Sequence, residues 1–286
     1  MLRILFLTGS LAHGGAERHS VSLMNGLSGR GHECHVVYVK RDGDLVEHIR
    51  LASGGSVHCL DATRYFDWRA LLDLARHVNH IRPHAIVAVN SYALMYAALA
   101  LRLVRQRVCL VVTYHSTRLT SLRERLQMMA YRPMFWTADR LIFVCVAQMR
   151  HCIRRAVFAR ANEVIHNGVD VMHFRSSGDK QARGRLRAAF GFLDSDFVIG
   201  LPALLRAEKN HIQLVDAVAA LRHAGIPARV LMIGDGPMRA RIEARARERA
   251  VERHVAITGL QRDVRPYIAA CDVVAVCSIT EAFSMA

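Results

Sequence analysis

Short β-branched apolar runs, each followed by a stretch of helical period, recur along the 286-residue chain and leave few folds open to it. Residues 2–7, 32–39, 56–60, 85–89, 108–113 and 141–146 read as six strands. The helical spacing between them is clearest at residues 68–81, where Leu71, Leu72, Ala75, Val78 and Ile81 share one stripe and Pro83 closes the helix. Strands that alternate with helices imply right-handed βαβ units and a parallel sheet. A polar stretch at residues 175–184, containing Ser176, Ser177 and Gly178, marks a linker. A second alternation then begins, with strands at 197–205, 229–233, 255–258 and from Val273, and helices at 210–223, 238–250 and 264–270. The reading is α/β with two doubly wound domains, 1–175 and 176–286, the second having about four strands and no closing element.

Composition removes several function classes. No run of about 18 uncharged apolar residues occurs, so no segment is expected to span a bilayer. The seven cysteines are scattered with no C-x-x-C pair, which favours buried thiols of a cytoplasmic protein over disulfides or a structural metal site. A net charge of +15, nearly all of it arginine, suits phosphate-bearing partners. Nucleic acid fits poorly. Arg239, Arg241, Arg245, Arg247 and Arg249 interleave with Glu243, Glu248 and Glu252, as on a solvated, self-paired helix, and no aromatic platform accompanies them.

Residues 118–136 carry a stripe of Leu119, Leu122, Leu126, Met129, Pro133 and Trp136, flanked by Arg118, Arg123, Arg125 and Arg132. Such a stripe either faces a core, the commoner case, or lies on an anionic bilayer. Pro133 is expected to break the helix and so weaken a continuous membrane face.

Chemistry-bearing residues fall at the carboxyl ends of the strands, the edge where open α/β sheets bind ligands. Gly14 and Gly15 follow strand one and precede a helix, where backbone amides can approach a phosphate or a sugar. They do not form G-x-G-x-x-G, and no acid ends strand two, so a nicotinamide site is poorly supported. Strand five leads through Thr113 and Tyr114 to His115 and Ser116, placing an imidazole at the same edge. The Asn167-Gly168 pair reads as a tight turn. In the second domain Arg206 and Lys209 precede a helix start, a metal-free way to neutralise a diphosphate. Gly234, in Gly234-Asp235-Gly236-Pro237, reads either as turn chemistry or as a close approach to a nucleotide. Residues 273–276 read as a buried strand, Ser278 and Thr280 as caps of a following helix, and Glu281 as an acid at the sheet edge.

Taken in order, Gly14-Gly15-Ala16-Glu17-Arg18, Gly31-His32-Glu33, His115, Ile165-His166-Asn167-Gly168-Val169-Asp170, Glu208-Lys209-Asn210-His211, Ile233-Gly234-Asp235-Gly236-Pro237 and Ser278-Ile279-Thr280-Glu281-Ala282-Phe283-Ser284 resemble a retaining nucleotide-sugar glycosyltransferase of family four. The resemblance implies two Rossmann-like domains (the GT-B fold). It also implies a nucleotide-diphosphate sugar as donor substrate, a glycan or lipid-linked acceptor, and no metal or other cofactor. By the same resemblance Lys209 stabilises the diphosphate and Glu281 contacts donor sugar hydroxyls. Backbone around Ala282, Phe283 and Ser284 approaches sugar and phosphate, Gly14 and Gly15 face the donor, and His115 lies close to the reacting sugar.

Two departures qualify it. Leu204 stands where the family carries an arginine, a loss worth roughly 3 kcal/mol, or about a hundredfold in rate, if nothing compensates. Arg206, two residues on in an extended strand, would face the same way and partly substitute. The family's second glutamate is expected eight residues after Glu281, beyond Ala286, so a truncated chain, poorly soluble and inactive alone, is the expectation. The positive charge suggests a cytoplasmic protein peripheral on the inner membrane face. A non-catalytic remnant that binds nucleotide or partners, and a sugar-nucleotide epimerase, are the rival readings.

Overall fold

A computed structural model describes residues 1–12, 14–115, 122–172, 174 and 179–284. It divides into two compact units, Met1–Gly168 and Val169–Ser284. Ser116, Arg118, Leu119, Arg175, Ser176, Ser177, Gly178 and the last two residues, all named above, lie outside the described residues.

The first unit runs β1 (Arg3–Thr8), α1 (Gly15–Gly29), β2 (Glu33–Tyr38), β3 (Ser56–Cys59), α2 (Trp68–Ile81), β4 (Ala85–Val89), α3 (Asn90–Leu103), β5 (Cys109–Tyr114), α4 (Leu122–Thr137), β6 (Arg140–Phe143), α5 (Val146–Ile153) and β7 (Ala161–Val164). Its seven strands pair in the order β3-β2-β1-β4-β5-β6-β7, every neighbouring pair parallel. The unbroken apolar run of β1 is sorted by the pleat. Leu5 and Leu7 join a core with α2, α3 and α4, whereas Ile4 and Phe6 pack against Val21 and Met24 of α1. Helices on both faces explain why β1 is an unbroken apolar run rather than an alternating one.

In the second unit the order is α6 (Lys180–Ala189), β8 (Phe197–Pro202), α7 (His211–His223), β9 (Ala228–Ile233), α8 (Arg239–Glu248), β10 (Val255–Ile257), α9 (Arg265–Ala269) and β11 (Val273–Val274). Its parallel sheet is ordered β10-β9-β8-β11. In both sheets the first strand sits between its successor and the strand formed later in the chain. That reversal of winding is a switch point, the place where open α/β sheets bind ligands. The two doubly wound domains, the second smaller, are as the alternation implied.

Six local expectations need correction. β6 ends at Phe143, not Val146, because Cys145 caps α5: its sulfur accepts from the Gln148 amide at 3.3 Å, and Gln148 Oε1 accepts from the Val144 amide at 2.9 Å. A seventh strand, β7, was hidden in Ala161-Asn162-Glu163-Val164, whose half-buried residues lack a β-branched run. No backbone hydrogen bond among the described residues closes a turn at Asn167-Gly168. Helix α4 continues through Pro133 to Thr137. The second half of the polar stretch at 175–184 enters α6, whose Asp179 cap accepts from the Ala182 amide at 3.0 Å. Lastly, β11 is short and pairs only with β8, leaving Val273 and Val276 exposed where a buried strand was expected.

The stripe on α4 also departs from the core-facing expectation. Met128, Tyr131 and Phe135 face inward, while Leu122, Leu126, Met129 and Trp136 are exposed, Leu122 at 72%. The side of α4 that fills the core is offset by one or two residues from the stripe. Among the described residues no helix is long and apolar enough to cross a membrane. No disulfide joins the seven cysteines; Cys34, Cys152 and Cys271 are buried, and burial raises the Cys152 and Cys271 thiols to about 11.

Candidate active site

The switch point of the second sheet brings together residues 72 positions apart. Lys209 ends a short 3₁₀ turn after β8, and Glu281 lies in the loop after β11. Because β8 and β11 are neighbours, the Lys209 ammonium and a Glu281 carboxylate oxygen meet as an ion pair. The same oxygen accepts from Ser278 Oγ at 2.7 Å, and the Ile279 amide donates to the Glu208 carbonyl at 2.9 Å, tying the two loops together. Both charged side chains keep about a quarter of their surface exposed, at 28% and 26%. Ser278 therefore serves Glu281 and, among the described residues, caps no helix; Ala282, Phe283 and Ser284 continue as an irregular loop, with Phe283 exposed.

Asn210, in the left-handed region at φ 53°, turns the chain from Lys209 into α7. Behind it His211 is 2% exposed, and neither ring nitrogen has a hydrogen-bond partner. Burial, helped by the Lys209 charge, lowers its pKa to about 4. The Arg206 side chain is exposed and makes no hydrogen bond or ion pair with the described residues. To face the same way as the arginine missing at Leu204, Arg206 requires an extended strand from 204 to 206. That geometry is absent: β8 stops at Pro202, and the Arg206 amide turns back onto the Leu204 carbonyl at 2.8 Å.

Gly234 holds the next loop. A Cβ there would lie 2.2 Å from the Ala203 carbonyl oxygen, and one at Gly236 would lie 2.7 Å from that of Leu205. The Ala203 amide donates to the Ile233 carbonyl and the Leu205 amide to that of Asp235, so the loops after β8 and β9 are zipped backbone to backbone. The close approach that demands glycine at 234 is to the protein backbone of Ala203.

In the first unit Gly14 caps α1 with extended backbone and no side-chain cap. A Cβ on it would meet the Glu17 carboxylate 2.1 Å away, so the acid of Gly14-Gly15-Ala16-Glu17 folds back over its own helix start. Further along the same helix, the His19 ring lies 5.3 Å from the His115 ring. His115 thus reaches the helix that Gly14 and Gly15 open. Its Nε2 is buried without a partner, and burial, then the neighbouring His19, pushes its pKa down to about 4. At neutral pH it is an uncharged imidazole.

Sequence reasoning missed Asn90. It opens α3 with φ 64° and accepts the His115 amide through Oδ1 at 2.9 Å. An asparagine directly after an apolar strand was the available signal, since Asn tolerates left-handed backbone while keeping a side-chain acceptor.

Comparison with known proteins now adds a family. Residues 13–173 match Glycosyltransferase Family 4 and residues 183–286 match Glycosyl transferases group 1. EpsD and EpsF of Bacillus subtilis (strain 168), both named as glycosyltransferases, are 30% identical over 126 residues and 27% identical over 208 residues. Those alignments cover 44% and 69% of this chain but only 33% and 52% of the relatives' own length. The Anabaena protein HepE, crystallised with UDP and glucose, superposes with a TM-score of 0.80 at 22% identity, covering 98% of this chain and 75% of that one. Sucrose-phosphate synthase from Thermosynechococcus elongatus gives 0.76 at 20% identity, covering 100% and 77%. At these identities the solved structures speak to fold alone.

Proposed function

Because this chain belongs to Glycosyltransferase Family 4, we propose that it moves a hexosyl group from a nucleotide-diphosphate sugar to a glycan or lipid-linked acceptor. The observation that carries the reading is the Lys209–Glu281 pair at the switch point of the second sheet. A diphosphate leaving group needs a preorganised cation, and Lys209 supplies one without a metal. Glu281, anchored by Ser278, accepts hydrogen bonds from donor sugar hydroxyls, and the backbone of Ala282, Phe283 and Ser284 lies against sugar and phosphate. Gly14 and Gly15 offer backbone at a helix start to the donor. His115, neutral at pH 7, acts next to the reacting sugar as a hydrogen-bonding group rather than as a cation.

Transfer proceeds with retention: as the sugar–phosphate bond lengthens, positive charge develops on the sugar ring and the acceptor oxygen enters from the face the diphosphate leaves. The acceptor proton passes to the departing phosphate oxygen. The reaction uses no cofactor. HepE's crystals with UDP-glucose make UDP the first nucleotide to test. Titration of the 286-residue chain with UDP, GDP and ADP, with chelator present, is expected to show saturable binding of one of them. Absence of binding to all three would overturn the reading.

The acceptor side is proposed to meet an anionic bilayer at the cytoplasmic face. Support comes from α4, where Leu122, Leu126, Met129 and Trp136 are solvent-exposed beside exposed Arg123 and Arg125. A helix lying in the interface buries such an apolar face while its cations meet lipid phosphates.

A further inference from the structure

Edge strand β3 and helix α2 share a cluster that the transfer reaction does not use. His58, on β3, places Nε2 2.7 Å from Asp73 Oδ2 on α2. One helical turn on, His77 packs its ring against that of His58, centroids 3.8 Å apart and planes 25° from parallel. His77 Nδ1 lies 3.1 Å from the Asp73 carbonyl oxygen and 3.6 Å from its Oδ1. One possible ligand atom from each of the three residues lies within 4.8 Å of the other two. We propose that His58, Asp73 and His77 form a three-ligand site for a borderline-soft divalent cation, with Zn²⁺ as the representative ion.

Donor chemistry favours this over a plain His–Asp pair. A structural pair needs one imidazole on the carboxylate, whereas here a second, bonded to the Asp73 carbonyl, stands 3.6 Å from its other oxygen. Stacked imidazoles repel if both are protonated, but a metal takes both as neutral ligands. Two imidazoles and one carboxylate are a ligand set used for zinc, with solvent in the fourth position. Tetrahedral coordination at the usual Zn–N and Zn–O lengths separates adjacent ligand atoms by about 3.3 Å. The three side chains are 33%, 27% and 27% exposed, so the ion has an entry path. On binding, both imidazoles shift their proton to the nitrogen away from the ion: His58 from Nε2, which faces Asp73, to Nδ1, and His77 from Nδ1, which faces the Asp73 carbonyl, to Nε2. The Arg76 guanidinium, 3.7 Å from Asp73 Oδ1, is 75% exposed and free to swing into solvent.

Such an ion would clip an edge strand, otherwise paired on one side only, to the helix that covers it. It would add stability by linkage to the folded state. None of the three residues belongs to the candidate active site, so the outcome is independent of the transfer reading.

The test uses the untagged chain, stripped with chelator and titrated with Zn²⁺ against a chromogenic competitor, with melting followed in parallel. One equivalent is expected to bind and raise the melting temperature, and Co²⁺ is expected to give visible bands of a tetrahedral site. His58→Ala and His77→Ala should each weaken binding at least roughly tenfold. His77→Gln, which keeps the volume, checks that the metal-free fold is intact. Zinc binding that survives both alanine variants lies elsewhere in the chain and overturns the proposal, as does absence of binding.

Discussion

Lys209 and Glu281 form an ion pair although they lie on different loops, and the pairing of β8 with β11 is what brings them face to face. Their proposed roles separate experimentally. Lys209→Ala removes the charge opposite the diphosphate and should weaken nucleotide-diphosphate binding roughly tenfold to a hundredfold, the usual worth of a hydrogen bond to a charged group. Glu281→Gln should leave the affinity for the nucleotide diphosphate within about threefold but weaken the intact nucleotide sugar by about tenfold. Calorimetric titration with both ligands decides. Equal losses for the two ligands in the Gln variant would contradict a sugar-facing role.

Gly234→Ala tests the zipped loops after β8 and β9. A new Cβ would stand 2.2 Å from the Ala203 carbonyl oxygen, a clash with backbone that no side-chain rotation relieves. A cost of about 3 kcal/mol is expected from overpacking and backbone strain. Urea unfolding would read it, and a change below about 1 kcal/mol would show that the loops yield easily.

What the sequence disclosed follows from where the information sits. Residues 68–81 were legible to the residue because helix α2 has an apolar stripe and a proline just beyond its end, although Leu72, counted in that stripe, is exposed and Ala70 and Leu74 are buried instead. Strand β7 was not, since Ala161, Asn162, Glu163 and Val164 hold their place through pairing with β6 rather than through their own pattern. Lys209 and Glu281 were each suggested by their position at a strand end, but their contact depends on strand order, which no local spacing encodes. Asn90 was missed for the same reason: its role is to hold His115, a residue 25 positions away. The Arg206 argument failed because local periodicity was extended past the true strand end at Pro202.

Two buried histidines should shape stability in mild acid. His115 and His211 both fall to about 4 in the folded chain, mainly through burial, against an unfolded value near 6.5. Between those values the unfolded chain binds more protons, so stability rises with pH from about 4 to about 6.5 and is flat above. Denaturant unfolding at a series of pH values should show that slope, and His115→Gln or His211→Gln should each flatten it. A slope unchanged in both variants would place its origin elsewhere.

Below that window a different group takes over. Asp272 Oδ2 accepts from Arg187 Nη2 at 2.7 Å and from the Val198 amide at 2.7 Å, and Arg187 is only 3% exposed. Burial alone would raise the Asp272 pKa, but the Val198 amide bond and the Arg187 and Arg183 guanidinium groups overcome it and hold the carboxyl below its ordinary value. That stabilisation is complete above the unfolded carboxyl range near 4 and is lost as pH falls through the lower folded value. Asp272→Ala should cost about 3 kcal/mol at pH 7, because it strands a buried guanidinium. Arg187→Met with Asp272→Ala should recover part of the loss, and a double variant no more stable than the single one would argue against a stranded charge.

The exposed stripe of α4 makes the membrane reading testable with little risk to the fold. Leu126 and Met129 are each 58% exposed, so Leu126→Ser with Met129→Ser should change stability by less than about 1 kcal/mol. If α4 lies in the interface, the wild-type chain should sediment with vesicles containing anionic phospholipid, and the double variant should bind roughly tenfold less. Raising the ionic strength should release both, since the Arg123 and Arg125 attraction is screened within about 10 Å at 0.1 M salt. Neutral vesicles separate the two contributions: apolar insertion alone should retain weak binding there, and charge alone should retain none. Absence of binding to anionic vesicles at low salt would sink the bilayer as the partner of this face and leave it to a protein or glycan.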